Sequence, residues 1–282
     1  MSETITLNFG LEEGDFHMQH IKRTEPFERT NHYHGTYEIY YLLHGQRAYF
    51  IKDCSYLIVP GDLLFINKLD VHKTSDVGLP GHERIVINFS DLFIGLDYPL
   101  FHPFLFAAFH HPIHVFRLKL QDQIFVQSIF KKLAYELKEK ASGFELYIKL
   151  LLVELLLFAK RCTEKYTTDV SEHIRPQHRK ISEIVRYINI HFQESLSLDH
   201  LSKYFFMSPY YISRAFKEVT GFSFVEYLNT TRIREAQRLL QESKQKIIDI
   251  AAAVGIENVS HFGRTFKQLT GMSPLQYRKM KR

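Results

Sequence analysis

His32, His34 and Glu38 stand at positions of one parity, so on an extended strand their side chains would leave the same face together. Two imidazoles and a carboxylate grouped in this way offer electron pairs to a metal, hydrogen bonds to a polar ligand, or partners to one another. A second set of chemistry-bearing residues lies in the last third of the chain. Tyr210, Ser213, Arg214 and Lys217 fall on one stripe of a helical period whose opposite stripe is Ile212, Phe216 and Val219. Val259, Ser260, Gly263, Arg264 and Lys267 stand in the same relation to Phe262, Phe266 and Leu269. An outward arginine can hold a guanine edge with two donors, hydroxyls can bond base edges, and lysines at the ends of the rows meet phosphates. The two stripes therefore predict a pair of readers for double-stranded DNA.

The elements that must position those readers are visible as an internal duplication. Leu201 to Tyr227 reads LSKYFFMSPYYISRAFKEVTGFSFVEY, and Ile250 to Tyr277 reads IAAAVGIENVSHFGRTFKQLTGMSPLQY. With one extra residue in the second turn, Arg214, Phe216, Lys217, Gly221, Ser223 and Tyr227 recur 50 positions later. Each copy predicts a short helix, a tight break and a second helix ending at Gly221 or Gly271, which is helix-turn-helix anatomy, at about 198–220 and 247–270. Ser197 and Ser208 are natural N-caps, the latter followed by Pro209 at the first helical position. Ser223 to Ser243 predicts a connecting helix; roughly twenty residues at 1.5 Å each span ~30 Å. That is close to one turn of B-DNA, ~34 Å, so the two readers can reach successive major grooves.

The first third has a different period. Tyr37–Leu43, Ala48–Ile51, Tyr56–Val59, Leu63–Ile66, Arg84–Phe89 and His114–Leu118 are short apolar or aromatic runs broken by Gly, Pro, Asn and Asp, predicting an antiparallel sandwich or barrel. The Phe-rich stretch Asp91 to His111 predicts a short helix over one mouth of it. Val126, Ile129, Phe130, Leu133, Ala134 and Leu137 form one helical stripe, and a second helix, about Phe144 to Lys160, is apolar nearly all round. That hairpin predicts dimerisation through residues 121–162. Glu164 to His178 is polar and aperiodic, an expected linker.

Composition bounds the class. With 282 residues, 45% hydrophobic and 24% charged, the chain is long enough for two globular domains and is neither disordered nor fibrous. Residues 171–282 hold 18 Lys and Arg against 10 Asp and Glu, a net of +8, which leaves −3 for residues 1–170. The basic half is the one expected to meet a polyanion. Cys54 and Cys162 lack any metal or redox spacing and predict reduced, half-buried thiols. No signal peptide or membrane span is expected, and the predicted location is cytoplasmic.

The segment from about Lys180 to Arg282 resembles the AraC/XylS family of transcription regulators. The resemblance rests on the paired helix-turn-helices, the connecting helix with Tyr227-Leu228, Arg232-Ile233, Ala236 and Leu239-Leu240, and the ending FKQLTGMSPLQYR. It implies a multidomain α+β chain: a cupin-like effector-sensing and dimerisation domain over 1–163, a linker over 164–179, and the DNA-binding domain over 180–282. HYHGTYE followed by Gly45 resembles the first metal motif of cupins, and His72 falls where their second motif supplies its last histidine. His32, His34, Glu38 and His72 are thus the implied effector-binding residues, and the holders of a divalent metal if one binds. Pro26, Asn67 and Leu69 depart from enzyme cupins, so no metal cofactor and no enzyme activity are expected. A metal-dependent cupin enzyme tethered to a DNA-binding module is the alternative. Implied partners are double-stranded DNA, a small-molecule effector such as a sugar, a second copy of the chain and RNA polymerase. Val259 and Gly263 carry little hydrogen-bonding capacity, so the second reader is expected to discriminate bases less than the first.

Overall fold

The computed structural model describes residues 3–12, 14–26, 34–68, 70–78, 81–95, 102–166 and 176–280. The chain separates into two compact units, Met1–Ile174 and Arg175–Arg282.

The first unit is built on two antiparallel sheets. Strands β1 (Glu3–Phe9), β2 (Phe16–Arg23), β3 (Tyr37–Gly45), β6 (Asp62–Ile66), β8 (His82–Phe89) and β9 (Val115–Arg117) form one in the order β1-β2-β8-β3-β6-β9. Strands β4 (Arg47–Ile51), β5 (Cys54–Ile58) and β7 (His72–Asp76) form the other in the order β5-β4-β7. Successive side chains of a strand leave opposite faces, and β3 shows where each face goes. Tyr37, Ile39 and Tyr41 enter a core shared with the helices, whereas Tyr40 and Leu42 pack with Tyr49, Ile51 and Tyr56 of the smaller sheet. Glu38 has the parity of Tyr40 and so faces the space between the sheets.

On the other face lie α1 (Asp91–Ile94), α2 (His102–Leu105), α3 (Ala107–His110), α4 (Leu120–Glu139) and α5 (Phe144–Lys165). In place of the expected single helix over a barrel mouth there are, among the described residues, three short helices, of which α3 lies between the six-stranded sheet and α5 and α2 packs on α5. Phe106 and Phe109 lie 4.5 and 4.7 Å from Tyr37, and Phe109 lies 5.3 Å from Phe65, ring centre to ring centre. Phenylalanines stabilise more when buried on both sides than when closing an opening to water. Both cysteines are fully buried rather than half-buried, and burial pushes the Cys162 thiol up to about 12.

The second unit is helical: α6 (Pro176–His191), α7 (Leu198–Phe205), α8 (Pro209–Thr220), α9 (Phe224–Glu242), α10 (Ile247–Ala253), α11 (Val259–Thr270) and α12 (Pro274–Met280). The stretch expected as a linker over 164–179 is helical at both ends, since α5 runs to Lys165 and α6 begins at Pro176. Caps explain the boundaries of the readers. Ser208 Oγ accepts from the Tyr211 amide and Asn258 Oδ1 from that of His261, while Gly221 and Gly271 end α8 and α11 in the left-handed region. Ser223 and Glu226 cap α9 reciprocally.

Candidate effector pocket and nucleic-acid face

His34 precedes β3, and a local turn brings it to Glu38. Its Nδ1 lies 2.9 Å from the Thr36 carbonyl and its Nε2 lies 3.2 Å from Glu38 Oε2. His72 opens β7 with Nδ1 2.8 Å from the Asp70 carbonyl and Nε2 3.8 Å from the same carboxylate oxygen. The two imidazoles meet edge to face at 5.1 Å. His32 lies outside the described residues. Glu38, 1% exposed, accepts from the Tyr49 hydroxyl at 2.9 Å and from Asn88 Nδ2 at 3.2 Å.

A carbonyl oxygen only accepts, so each histidine carries a proton on Nδ1 and turns Nε2 toward Glu38. Three electron-pair donors then converge, all within 4.8 Å of one another. A proton on His34 can complete such a set. Burial opposes that charge, yet the hydrogen bond and charge of Glu38, helped by Glu12 and the Thr36 carbonyl, raise the His34 pKa above the ordinary value. A divalent transition metal can complete it equally well: carbonyl-anchored imidazoles beside a carboxylate are a donor set that fits one.

Across the six-stranded sheet the cluster continues into side chains that sequence reasoning passed over. Glu38 pairs with Asn88 in register, and Asn88 with His17. His17 bridges Asn88 Oδ1 at 3.1 Å and Asn8 Oδ1 at 3.2 Å. Beside this row a cavity of about 340 Å³ is lined by Asn8, Glu12, His17, Gln19, Arg23, Arg84 and Asn88, with Gly10, Leu11 and Val86. That volume suits a small metabolite. None of His34, Glu38 and His72 lines it; Asn88 and His17 join it to them. His17 has no ligand spacing in the sequence, and no local pattern singles out Asn88 or Arg84.

On the second unit, Tyr210, Ser213, Arg214 and Lys217 of α8 are exposed, as are Val259, Ser260, Arg264 and Lys267 of α11, while Gly263 is half-buried. Ile212, Phe216, Phe262 and Phe266 are buried. The rows thus leave the unit on the faces opposite its cores.

Residues 20–156 match the family model described as an AraC-like ligand binding domain, and residues 201–280 match one described as a helix-turn-helix domain. The chain belongs to the AraC-type regulators, with the ligand-binding domain first and the helix-turn-helix domain second. An HTH-type transcriptional regulator of Staphylococcus aureus is 41% identical over 99 residues, 35% of this chain and 13% of that protein. The bifunctional transcriptional activator/DNA repair enzyme AdaA of Bacillus subtilis (strain 168) is 36% identical over 105 residues, 37% of this chain and 50% of AdaA. The C-terminal domain of AraT, a response regulator from Geobacillus stearothermophilus, is 32% identical with a TM-score of 0.35, covering 39% of this chain and 88% of that one. The chain thus spans half or less of the length of the two curated relatives.

Proposed function

We propose that this protein is a sequence-specific regulator of transcription that binds double-stranded DNA through Tyr210, Ser213, Arg214, Lys217, Val259, Ser260, Arg264 and Lys267, and binds a small-molecule effector in its N-terminal barrel. The observation that carries the reading is the duplicated reader: two capped helices, fifty residues apart, each with a buried apolar stripe and an exposed row ending in Arg and Lys. At 19 residues, α9 spans about 28 Å between them. His34 and Glu38 hold Asn88, through which the cluster with His72 reaches the wall of the effector cavity. An effector shifts DNA binding only through unequal affinity for two arrangements of the protein.

The test is to sequence the genomic fragments retained by the purified full chain and then titrate the enriched site with wild type and with R214A/R264A. A discrete motif bound by wild type and lost in the double variant is expected. Retention without a motif, or a motif kept by the variant, overturns the reader assignment.

The partner is a second copy. Leu146, Leu150 and Leu157 of α5 are 64, 56 and 37% exposed along one helical line, with half-buried Val153 between them. The opposite line, Ile148, Leu152, Leu155 and Ala159, is already buried in the core shared with α2, α3 and α4. An apolar line of this length is characteristic of an interface. Sedimentation of the full chain as a dimer that L150E splits to monomers is the expected outcome. No helix among the described residues is long and apolar enough to cross a membrane; a cytoplasmic setting and contact with RNA polymerase accord with the regulator reading.

The converging donors of His34, Glu38 and His72 favour one second reading, an enzyme in the same barrel. There the three would hold a divalent metal, which supplies Lewis-acid polarisation of a bound oxygen ligand. Stoichiometric metal in purified protein, lost in H72A together with turnover of a small molecule, would favour it.

A further inference from the structure

Three guanidiniums act on His82, those of Arg47 and Arg84 buried and that of Arg23 half-buried, and their counter-charges are unequal. Arg47, fully buried, pairs with Asp76 and donates through Nε to Thr74 Oγ1 at 3.0 Å. Arg23 pairs with Glu3 at 3.0 Å. Arg84, 4% exposed, makes no ion pair among the described residues. Its Nη2 donates to Gln19 Oε1 at 3.3 Å, its guanidinium lies 5.8 Å from the Tyr40 ring, and its Nε has no hydrogen-bond partner there. Arg84 also has the strand parity of Asn88, and both line the cavity.

We propose that the barrel's ligand is an anion: a small molecule whose carboxylate or phosphate is held by the Arg84 guanidinium, with Gln19, His17, Asn88 and Asn8 bonding its neutral polar part. This rests on the reading of the barrel as an effector pocket and names the class of effector. A buried cation is costly unless it is paired. Arg47 shows how this fold pairs one that serves structure alone, with an acidic residue on a neighbouring strand. Arg84 makes no such pair among the described residues and faces a cavity whose wall it shares with Glu12. The guanidinium presents a planar fork of donors matched to two oxygens of one anion, which a neutral hydroxyl cannot fill. The positive field at this end is felt by His82, whose pKa is driven down to about 3 by burial together with Arg47, Arg84 and Arg23.

The test uses the full chain and three probes at matched ionic strength: glucuronate, glucose 6-phosphate and glucose. Calorimetric unfolding should show wild type stabilised by one or both anions and not by glucose, and the anion that acts tells a carboxylate from a phosphate ligand. R84M, which keeps the side-chain length without charge, should unfold no earlier than wild type in the absence of ligand and bind the anion at least about tenfold more weakly. R84K, with charge but no fork, should fall between them, and it replaces R84M if that variant does not fold. Glucose acting as well as the anions would overturn the anion claim and leave the barrel as a ligand site. An anion effect unchanged in R84M, or no effect of either anion on wild type, would also overturn it. DNA retention by the same wild-type preparation is scored separately: a chain that binds no DNA fails as a regulator, whatever the anions do.

Discussion

The two helix-turn-helix copies repeat each other down to single hydrogen bonds, and differ where they meet solvent. Thr220 Oγ1 donates to the Phe216 carbonyl at 2.7 Å, and Thr270 Oγ1 to that of Phe266 at 2.8 Å. Tyr227 meets Phe216 edge to face at 5.5 Å and 80°, and Tyr277 meets Phe266 at 5.5 Å and 77°. The Tyr227 hydroxyl donates to Asn189 of α6 at 3.1 Å, and the Tyr277 hydroxyl accepts from Gln241 of α9 at 2.8 Å. So α6 supports the first copy as α9 supports the second, and α9 belongs to both. Two differences stand out. Phe206 ends α7 in the left-handed region, 94% exposed, where the second copy has Gly255. A Cβ on Gly255 would stand 2.4 Å from the Gln193 carbonyl oxygen. On the reader, Ser213 of the first copy corresponds to Gly263 in the second. What sets helix angles is shared, and what faces outward has diverged.

The sharpest way to break this comparison is G255A. With φ at +78° and backbone in the way, the substitution should cost at least about 2 kcal/mol of the second unit's stability. Urea unfolding of the full chain measures it, and a neutral result would mean the two turns are interchangeable. Next come R214A and R264A, each expected to lose about 1–3 kcal/mol of specific binding and to relax preference at one base pair. Titration against operators varied one position at a time should show the larger relaxation for R214A; equal relaxation would erase the asymmetry between readers. K217A and K267A should weaken all sequences alike and lower the slope of log affinity against log salt by about one each. A sequence-selective loss from either lysine would contradict a phosphate role. The smallest effects sharpen the comparison by transplantation. G263S, where a Cβ meets nothing within 4 Å, should restore a hydroxyl to the second reader and stabilise α11 by about 0.5 kcal/mol. F206G should relieve a left-handed non-glycine residue and change stability by less than about 1 kcal/mol, because the exposed ring gives up no packing.

The helical unit was readable because its instructions are short-range. A cap acts over three residues, a buried stripe over four, and a left-handed stop at one glycine. The sheets were readable only in part. Six runs stood out, whereas β1, β2 and β7 did not, and β7 shows why: HKTSD buries His72 and Thr74 on alternate positions, a strand period written in polar residues. Hydrophobic alternation disappears where a strand turns polar side chains inward. The His34–Glu38 contact was anticipated from parity on one strand, but His34 precedes β3 and reaches Glu38 through its bond to the Thr36 carbonyl. His72 came from the resemblance to a known motif, without which nothing in its neighbourhood marked it.

The sequence by itself determined the order of the parts, the ends of the reader helices, their buried and exposed rows, and the charge contrast between the halves. All of these follow from residue type and from spacings of a few positions. Only the tertiary structure decided which polar side chains share the space between the sheets. Asn88 meets Glu38 across 50 residues and His17 across 71, through a strand register that no local pattern specifies. The β4–β7 register of the smaller sheet gave Arg47 a carboxylate, whereas the larger sheet left Arg84 facing a cavity. Whether a buried cation is paired depends on which strands become neighbours, because a counter-charge acts through a few ångströms of space and not through the chain between.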